Sequence, residues 1–359
     1  MNFTANRTEL LNGLLLASKP IGTNVIIPIL ECIRFEVTAD KLTLTGSNAE
    51  ISVSTSIALK TDITADIAIP AARLIGLIKD LPDQPLTFTI ENGRVIIKST
   101  SGKYTIPIEN GKDFPVSKVK GKQTFEIETK ALMNGIDKTL FSVNDKINVE
   151  DLIGLSVEIG NGILTTTGCD RFTLSNNKEV ISNKSEAKFH IPAKAVKMVY
   201  DIANGETSKV SYCDKSISFE FANCSINCAL LATAYVNYAP VLPKDNQNIL
   251  KIDRSLLTGA LKRVSQFAPV TSAVALTLAP GELKISSKNV MEEEADEALT
   301  CDYSGEEIVY GLNGGLFLNC LMKHECPEIK LSFKDSVTAA RIEDESNENL
   351  LMIIMPIRL

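Results

Sequence analysis

Residues 3–18 read FTANRTELLNGLLLAS, residues 125–140 read FEIETKALMNGIDKTL, and residues 250–265 read LKIDRSLLTGALKRVS. Phe3, Leu10, Leu11, Asn12, Gly13 and Leu14 share the register of Phe125, Leu132, Met133, Asn134, Gly135 and Ile136. Leu250, Leu257 and Leu261 keep the apolar positions in the third stretch, and the two offsets are 122 and 125 residues. A second landmark repeats with the same period. Ile69-Pro70-Ala71 opens RLIGLIKDL, Ile191-Pro192-Ala193 opens KAVKMVYDI 122 residues later, and Leu312-Asn313-Gly314 precedes GLFLNCLMK another 121 on. Two landmarks with nearly equal spacing define a triplicated unit, divided here as 1–121, 122–246 and 247–359.

Each unit carries two segments with helical spacing. Leu10, Leu11, Leu14 and Leu15 line one face of the first; Leu256, Leu257, Ala260, Leu261 and Val264 line the fifth. The six predicted helices are 7–19, 71–81, 129–141, 193–203, 253–266 and 313–325. Between them the sequence alternates as strands do. Leu86, Phe88 and Ile90 face opposite to Thr87 and Thr89, and Asn92-Gly93 supplies a tight hairpin before Val95 and Ile97. The pattern returns around Asn161-Gly162 and Pro280-Gly281. The expected fold is α+β: about two dozen strands in antiparallel sheets with six short amphipathic helices.

The 359 residues hold 37 Lys+Arg against 44 Asp+Glu, a net charge of −7, which argues against binding nucleic acid through overall charge. The charge is not evenly spread. The six helical windows contain 12 basic and 6 acidic residues, leaving 25 basic and 38 acidic elsewhere. Either each helix simply has a solvated lysine-rich face, or the helices converge on one basic surface suited to phosphates. The candidates for that surface are Arg7, Arg73, Lys79, Lys130, Lys138, Lys194, Lys197, Arg254, Lys262 and Arg263.

Catalytic signatures are scarce. The chain has no phosphate-cradling glycine loop, no GxSxG, no HExxH, and two histidines, His190 and His324. Cys169-Asp170-Arg171 is either a nucleophile beside charges or a hairpin end, and the second reading is favoured. The acidic run Glu292–Glu297 reads as a solvated loop or strand edge. The eight cysteines form no CxxC pair, so buried reduced thiols are expected and no metal or cofactor. The sequence has no apolar run long enough to span a membrane and no basic-then-apolar leader, so a cytoplasmic protein without membrane contact is expected.

The ending Leu350–Leu359, LLMIIMPIRL, is apolar almost throughout. Together with the three repeats, the FxxxRxxLLxxL-like opening, Pro28-Ile29-Leu30, Leu44-Thr45-Gly46 and Asp113-Phe114-Pro115, its MPIRL resembles the bacterial DNA polymerase III β subunit family, the sliding clamps. The resemblance runs from residue 1 to 359. It implies a head-to-tail homodimer whose six domains close into a ring around duplex DNA, helices inside and sheets outside. It also implies a non-catalytic processivity role without sequence preference, an external ATP-driven clamp loader, and a peptide pocket. That pocket would receive the replicative polymerase α subunit, the loader and other proteins bearing the binding motif.

Carried over by position, the pocket comprises Leu152, Thr167, Arg171, Phe172, Val236, Val241, Val337, Ala339, Ile353, Met355, Pro356, Ile357 and Arg358, and the ring interface includes Tyr104 and Phe267. Some positions depart from the family. Gly168-Cys169-Asp170-Arg171 lacks the usual His, Val236 and Pro240 replace a Pro and an Arg, and Asn24 and Glu150-Asp151 stand where the family has an Arg and an aromatic pair. Two other readings stay open: a three-domain scaffold that binds proteins but not nucleic acid, and a hydrolase using Cys169 or His190.

Overall fold

A computed structural model describes residues 2–22, 26–116, 123–144 and 149–359; Asn24 and the 121/122 division lie outside them. Its helices are α1 Arg7–Ala17, α2 Ala71–Asp80, α3 Thr129–Thr139, α4 Ala193–Ile202, α5 Arg254–Val264 and α6 Gly314–Lys323, each within its predicted window. Their starts follow capping chemistry. The Asn6 side chain accepts from the amides of Thr8 and Glu9, Asp253 from Leu256, and Asn313 from Leu316, so each satisfies amides that have no partner within the helix. The predicted turns form as well. Asn92-Gly93 and Asn161-Gly162 have positive φ at both residues, while Gly281 after Pro280 has φ +78, the geometry of a type II turn.

The repeat is one of geometry as well as sequence. Strands Lys41–Ser47 and Ile51–Ala58 recur 122 residues later as Ile163–Cys169 and Thr173–Val180. So do the close approaches between helix and sheet. A Cβ on Gly46 would stand 2.0 Å from the Ala17 carbonyl oxygen at the end of α1. A Cβ on Gly168 would stand 2.3 Å from the Thr139 oxygen at the end of α3. Only glycine lets backbone meet backbone this closely.

All strand pairs among the described residues are antiparallel, and each repeat supplies two four-stranded blocks. Blocks of successive repeats fuse. Cys224–Ala229 pairs with Ile51–Ala58 to make a nine-stranded sheet, and Leu350–Ile354 pairs with Thr173–Val180 to make an eight-stranded one. The first block of repeat one and the last of repeat three remain four-stranded, ending at Lys103–Pro107 and Glu294–Thr300.

Two compact units result: residues 1–130 with 197–230, and 131–196 with 231–359. In the first, Leu10, Leu14, Leu74 and Ile78 of the helices pack against Ile33, Phe35, Leu42 and Phe88 of the sheets. In the second, Leu257, Leu261, Phe317 and Leu321 pack against Leu276, Leu283, Tyr310 and Phe333. Burial of these faces supplies the main driving force for folding each unit.

Candidate functional site

The second unit holds an apolar cavity of about 240 Å³. One wall is the turn between Ile163–Cys169 and Thr173–Val180. There Asp170, buried, accepts from the amides of Phe172 (3.0 Å) and Thr173 (2.6 Å) and from the Thr173 hydroxyl (3.0 Å). This Asx-type turn holds Arg171 at φ +75 and projects Phe172 outward, 53% exposed. The adjoining wall is the strand Leu350–Ile354, in register through Thr173↔Ile354 and Leu174↔Ile353, and extended by the bond from Met355 N to Phe172 O (2.8 Å). Val236, Tyr238 and Val241 close the third side, and Leu152 joins them. Asn176 donates to Thr167 Oγ1 (2.7 Å) and to the Tyr238 hydroxyl (3.1 Å), which fixes the tyrosine ring from behind.

Leu152, Arg171, Phe172, Val236, Val241, Ile353 and Met355 of the expected pocket therefore line this one cavity, and Ala339 lies buried beneath it against Leu174 and Ile353. Thr167 is buried and serves as a hydrogen-bond acceptor instead of a wall. Val337, Pro356, Ile357 and Arg358 line a neighbouring cavity of about 590 Å³ with Val309 and Gly311. The bond from Ile357 N to Gly311 O (2.9 Å) turns the last residues along the strand Ile308–Asn313. Cys169, Thr173, Leu174 and Tyr238 line the first cavity but were not expected there. The alternation along 173–174 and the aromatic at 238 were the available signals.

The expected phosphate-facing cations divide. Arg73, Lys79, Lys130, Lys194, Lys197 and Lys262 are exposed and make no ion pair with a described residue. Arg263 is exposed but held by both oxygens of Glu297 (2.7 Å each). Three are engaged within the fold. Arg7 donates to the carbonyls of Ile78 and Lys79 at the end of α2, and Arg254 to that of Cys326 (2.7 Å) just beyond α6. At the end of α2 the Arg7 guanidinium satisfies carbonyls left without an amide partner and favours the negative end of the helix dipole. Lys138 is buried, its ammonium 2.7 Å from Glu325 and bonded to the Lys323 carbonyl. Even so, the six helices as observed carry 11 basic and 4 acidic residues. Tyr104 packs at the edge of the first core and Phe267 stands 39% exposed after α5.

The features considered for catalysis take structural roles. Burial, outweighing a backbone hydrogen bond from Arg171, pushes the Cys169 thiol up, so it is a poor nucleophile. His190 bonds Thr233 O through Nδ1 (3.0 Å) and meets Tyr235 edge-on at 5.1 Å; burial lowers its pKa and keeps it neutral. The run Glu292–Glu297 leads into an edge strand, where Asp296 meets Lys284 (3.2 Å) across the ladder.

A triplicated α+β chain with fused antiparallel sheets is a clamp-type fold. Family models described as the DNA polymerase III beta subunit N-terminal, central and C-terminal domains match residues 1–118, 126–237 and 239–358 in that order. The chain belongs to the DNA polymerase III beta subunit family. Similar proteins include the beta sliding clamps of Pseudomonas putida (24% identical, all of both chains covered) and Chlamydia pneumoniae (27%, all of this chain and 99% of the relative). The DNA polymerase sliding clamp of Bacillus subtilis has a similar fold, with TM-score 0.94, 21% identity and coverage of 100% and 99%. That of Pseudomonas aeruginosa bound to griselimycin gives 0.93 and 23% over all of both chains.

Proposed function

We propose that this chain is a non-catalytic sliding clamp: two copies close into a ring around duplex DNA and tether the replicative polymerase, and the apolar cavity beside Phe172 receives partner peptides. The observation that carries the reading is the pair of unmatched sheet edges. Within the chain, the last strand of one block pairs antiparallel with a strand of the neighbouring repeat at 224–229/51–58 and again at 350–354/173–180. Lys103–Pro107 and Glu294–Thr300 occupy the equivalent places with no described strand across from them. A long unpaired edge is a template for another chain. A head-to-tail pair of copies joins one edge to the other by the same antiparallel pairing used within the chain. Tyr104 and Phe267 are its apolar contacts.

A topological link needs no tight grip. Exposed helix cations making weak contacts with phosphates hold DNA without reading its sequence and permit sliding. A tethered polymerase stays at high effective concentration near the primer end. The cavity walls are apolar with Arg171 at the rim, a lining suited to short peptides with a hydrophobic anchor from the polymerase α subunit, a clamp loader and other factors. No helix among the described residues is long and apolar enough to cross a membrane, and a cytoplasmic site of action is consistent with the family.

The test combines molecular mass in solution with retention on DNA after loading. A dimer that stays on closed circles and leaves linear ends at moderate salt is expected. Equal loss from circle and line would refute the ring, and retention on neither would favour the protein-only scaffold.

A further inference from the structure

Where α6 ends, three side chains from distant parts of the sequence meet. His324 and Cys326 follow the helix directly, and Asp344 follows the strand Ala340–Glu343. All three are buried, and a ligand-type atom of each lies within 4.8 Å of the others; they are the one such group of His, Cys, Asp or Glu among the described residues. His324 is 2% exposed, and neither of its ring nitrogens has a hydrogen-bond partner. A buried imidazole with no partner at either nitrogen is costly, because its desolvation is not recovered.

We propose that His324, Cys326 and Asp344 bind a thiophilic divalent cation of the zinc type, as a structural staple between the end of α6 and the strand Ala340–Glu343. One nitrogen, one thiolate and one carboxylate is a borderline-soft donor set suited to zinc, with water completing a tetrahedron. Binding displaces the thiol proton: Cys–SH and the dication give a cysteine–sulfur–metal bond and a released proton. The three groups alone carry −1; with the metal and a thiolate they sum to zero.

His324 and Asp344 already hold the form that ligates, and the Cys326 thiol is the group that must give up a proton on binding. Burial, opposed by Asp344 and aided by Lys138 and Arg254, pushes His324 down to about 4 and leaves it in the neutral form a metal takes. Burial, with Asp344, lifts the Cys326 thiol to about 11, so without a metal it keeps its proton. Burial alone would raise Asp344, but the Ser346 hydroxyl and amide, the Cys326 thiol and His324 hold it below the usual carboxylate range. The nearby cations are already engaged, Lys138 with Glu325 and Arg254 with the Cys326 carbonyl.

The full chain, stripped with a chelator, is titrated with Co²⁺ and followed by absorption. A thiolate-to-cobalt charge-transfer band and tetrahedral ligand-field bands saturating at one equivalent are expected, both abolished by Zn²⁺. In Cys326→Ser the charge-transfer band disappears while circular dichroism is kept. X-ray absorption at the zinc edge of the wild-type protein needs no variant. It is expected to show a single sulfur neighbour at about 2.3 Å and nitrogen or oxygen at about 2.0–2.1 Å. No cobalt spectrum at millimolar metal, an unchanged band in a folded Cys326→Ser, or a shell with no sulfur or several would each overturn the site. The clamp reading is unaffected by any of these outcomes, since circle retention does not involve the staple.

Discussion

Replacing Phe172 by alanine separates partner binding from folding better than any other change at the cavity. Its ring is 53% exposed, so its removal is expected to cost the free protein about 1 kcal/mol from the buried half, too little to unfold it. A bound peptide would cover the exposed half. Full burial of a phenylalanine is worth about 1.5–3 kcal/mol, so half of it gives about 1 kcal/mol, or roughly a fivefold loss of affinity. Fluorescence anisotropy with a labelled peptide from the polymerase's clamp-binding segment measures this, and urea denaturation checks the fold. Met355→Ala, on the adjoining strand end, should behave alike in binding. Val337→Ala, 76% exposed in the neighbouring cavity, should leave affinity within twofold. Unchanged affinity in Phe172→Ala and Met355→Ala, or a larger loss in Val337→Ala, would show that the anchor does not sit in the cavity these two residues line.

Other consequences are equally measurable. Gly46→Ala and Gly168→Ala should each cost about 3 kcal/mol or more in urea titrations, because a backbone carbonyl blocks the new methyl group. Gly13→Ala should cost less, since the atom it meets is the movable Leu44 Cδ1. His190 has a folded pKa below the ordinary 6.5, so the unfolded chain takes up its proton first. Its contribution to stability is therefore full above pH 6.5 and falls away as the pH drops toward the folded value. With two histidines in the chain, imidazole NMR signals assigned through His190→Phe report it directly, and titration of that signal above 6.5 would contradict the burial argument. In the proposed ring Phe267 lies at the junction of two copies, so Phe267→Asp should leave only monomers in sedimentation without shifting the monomer's melting curve.

The repeat and all six helices are legible in the sequence because helical apolar spacing and a nearly constant offset survive together. The joints between repeats are not. A period of two residues says which face of Cys224–Ala229 is buried but not that Ile51–Ala58 lies beside it. The cavity is legible in part for a similar reason. Arg171, Phe172 and Met355 meet there because one ladder aligns them, whereas the bond from Ile357 to Gly311 carries Pro356, Ile357 and Arg358 elsewhere. A lysine's charge is visible in a sequence and its partner is not, which is why Lys138 counts as an exposed cation until Glu325 is seen beside it. Asp344 is hidden in the same way, separated from Cys326 by two strands' worth of chain and joined to it by tertiary structure alone.

The fused sheets impose an order on synthesis. Ile51–Ala58 leaves the ribosome with its outer edge open and meets its neighbour when Cys224–Ala229 appears. At usual elongation rates that interval is roughly 10–30 s. Thr173–Val180 waits similarly for Leu350–Ile354. During each wait a nascent chain displays an adhesive strand to its neighbours on the same messenger RNA. Two chains growing side by side could therefore exchange these strands, and the yield of correctly closed protein should depend on how densely ribosomes are loaded.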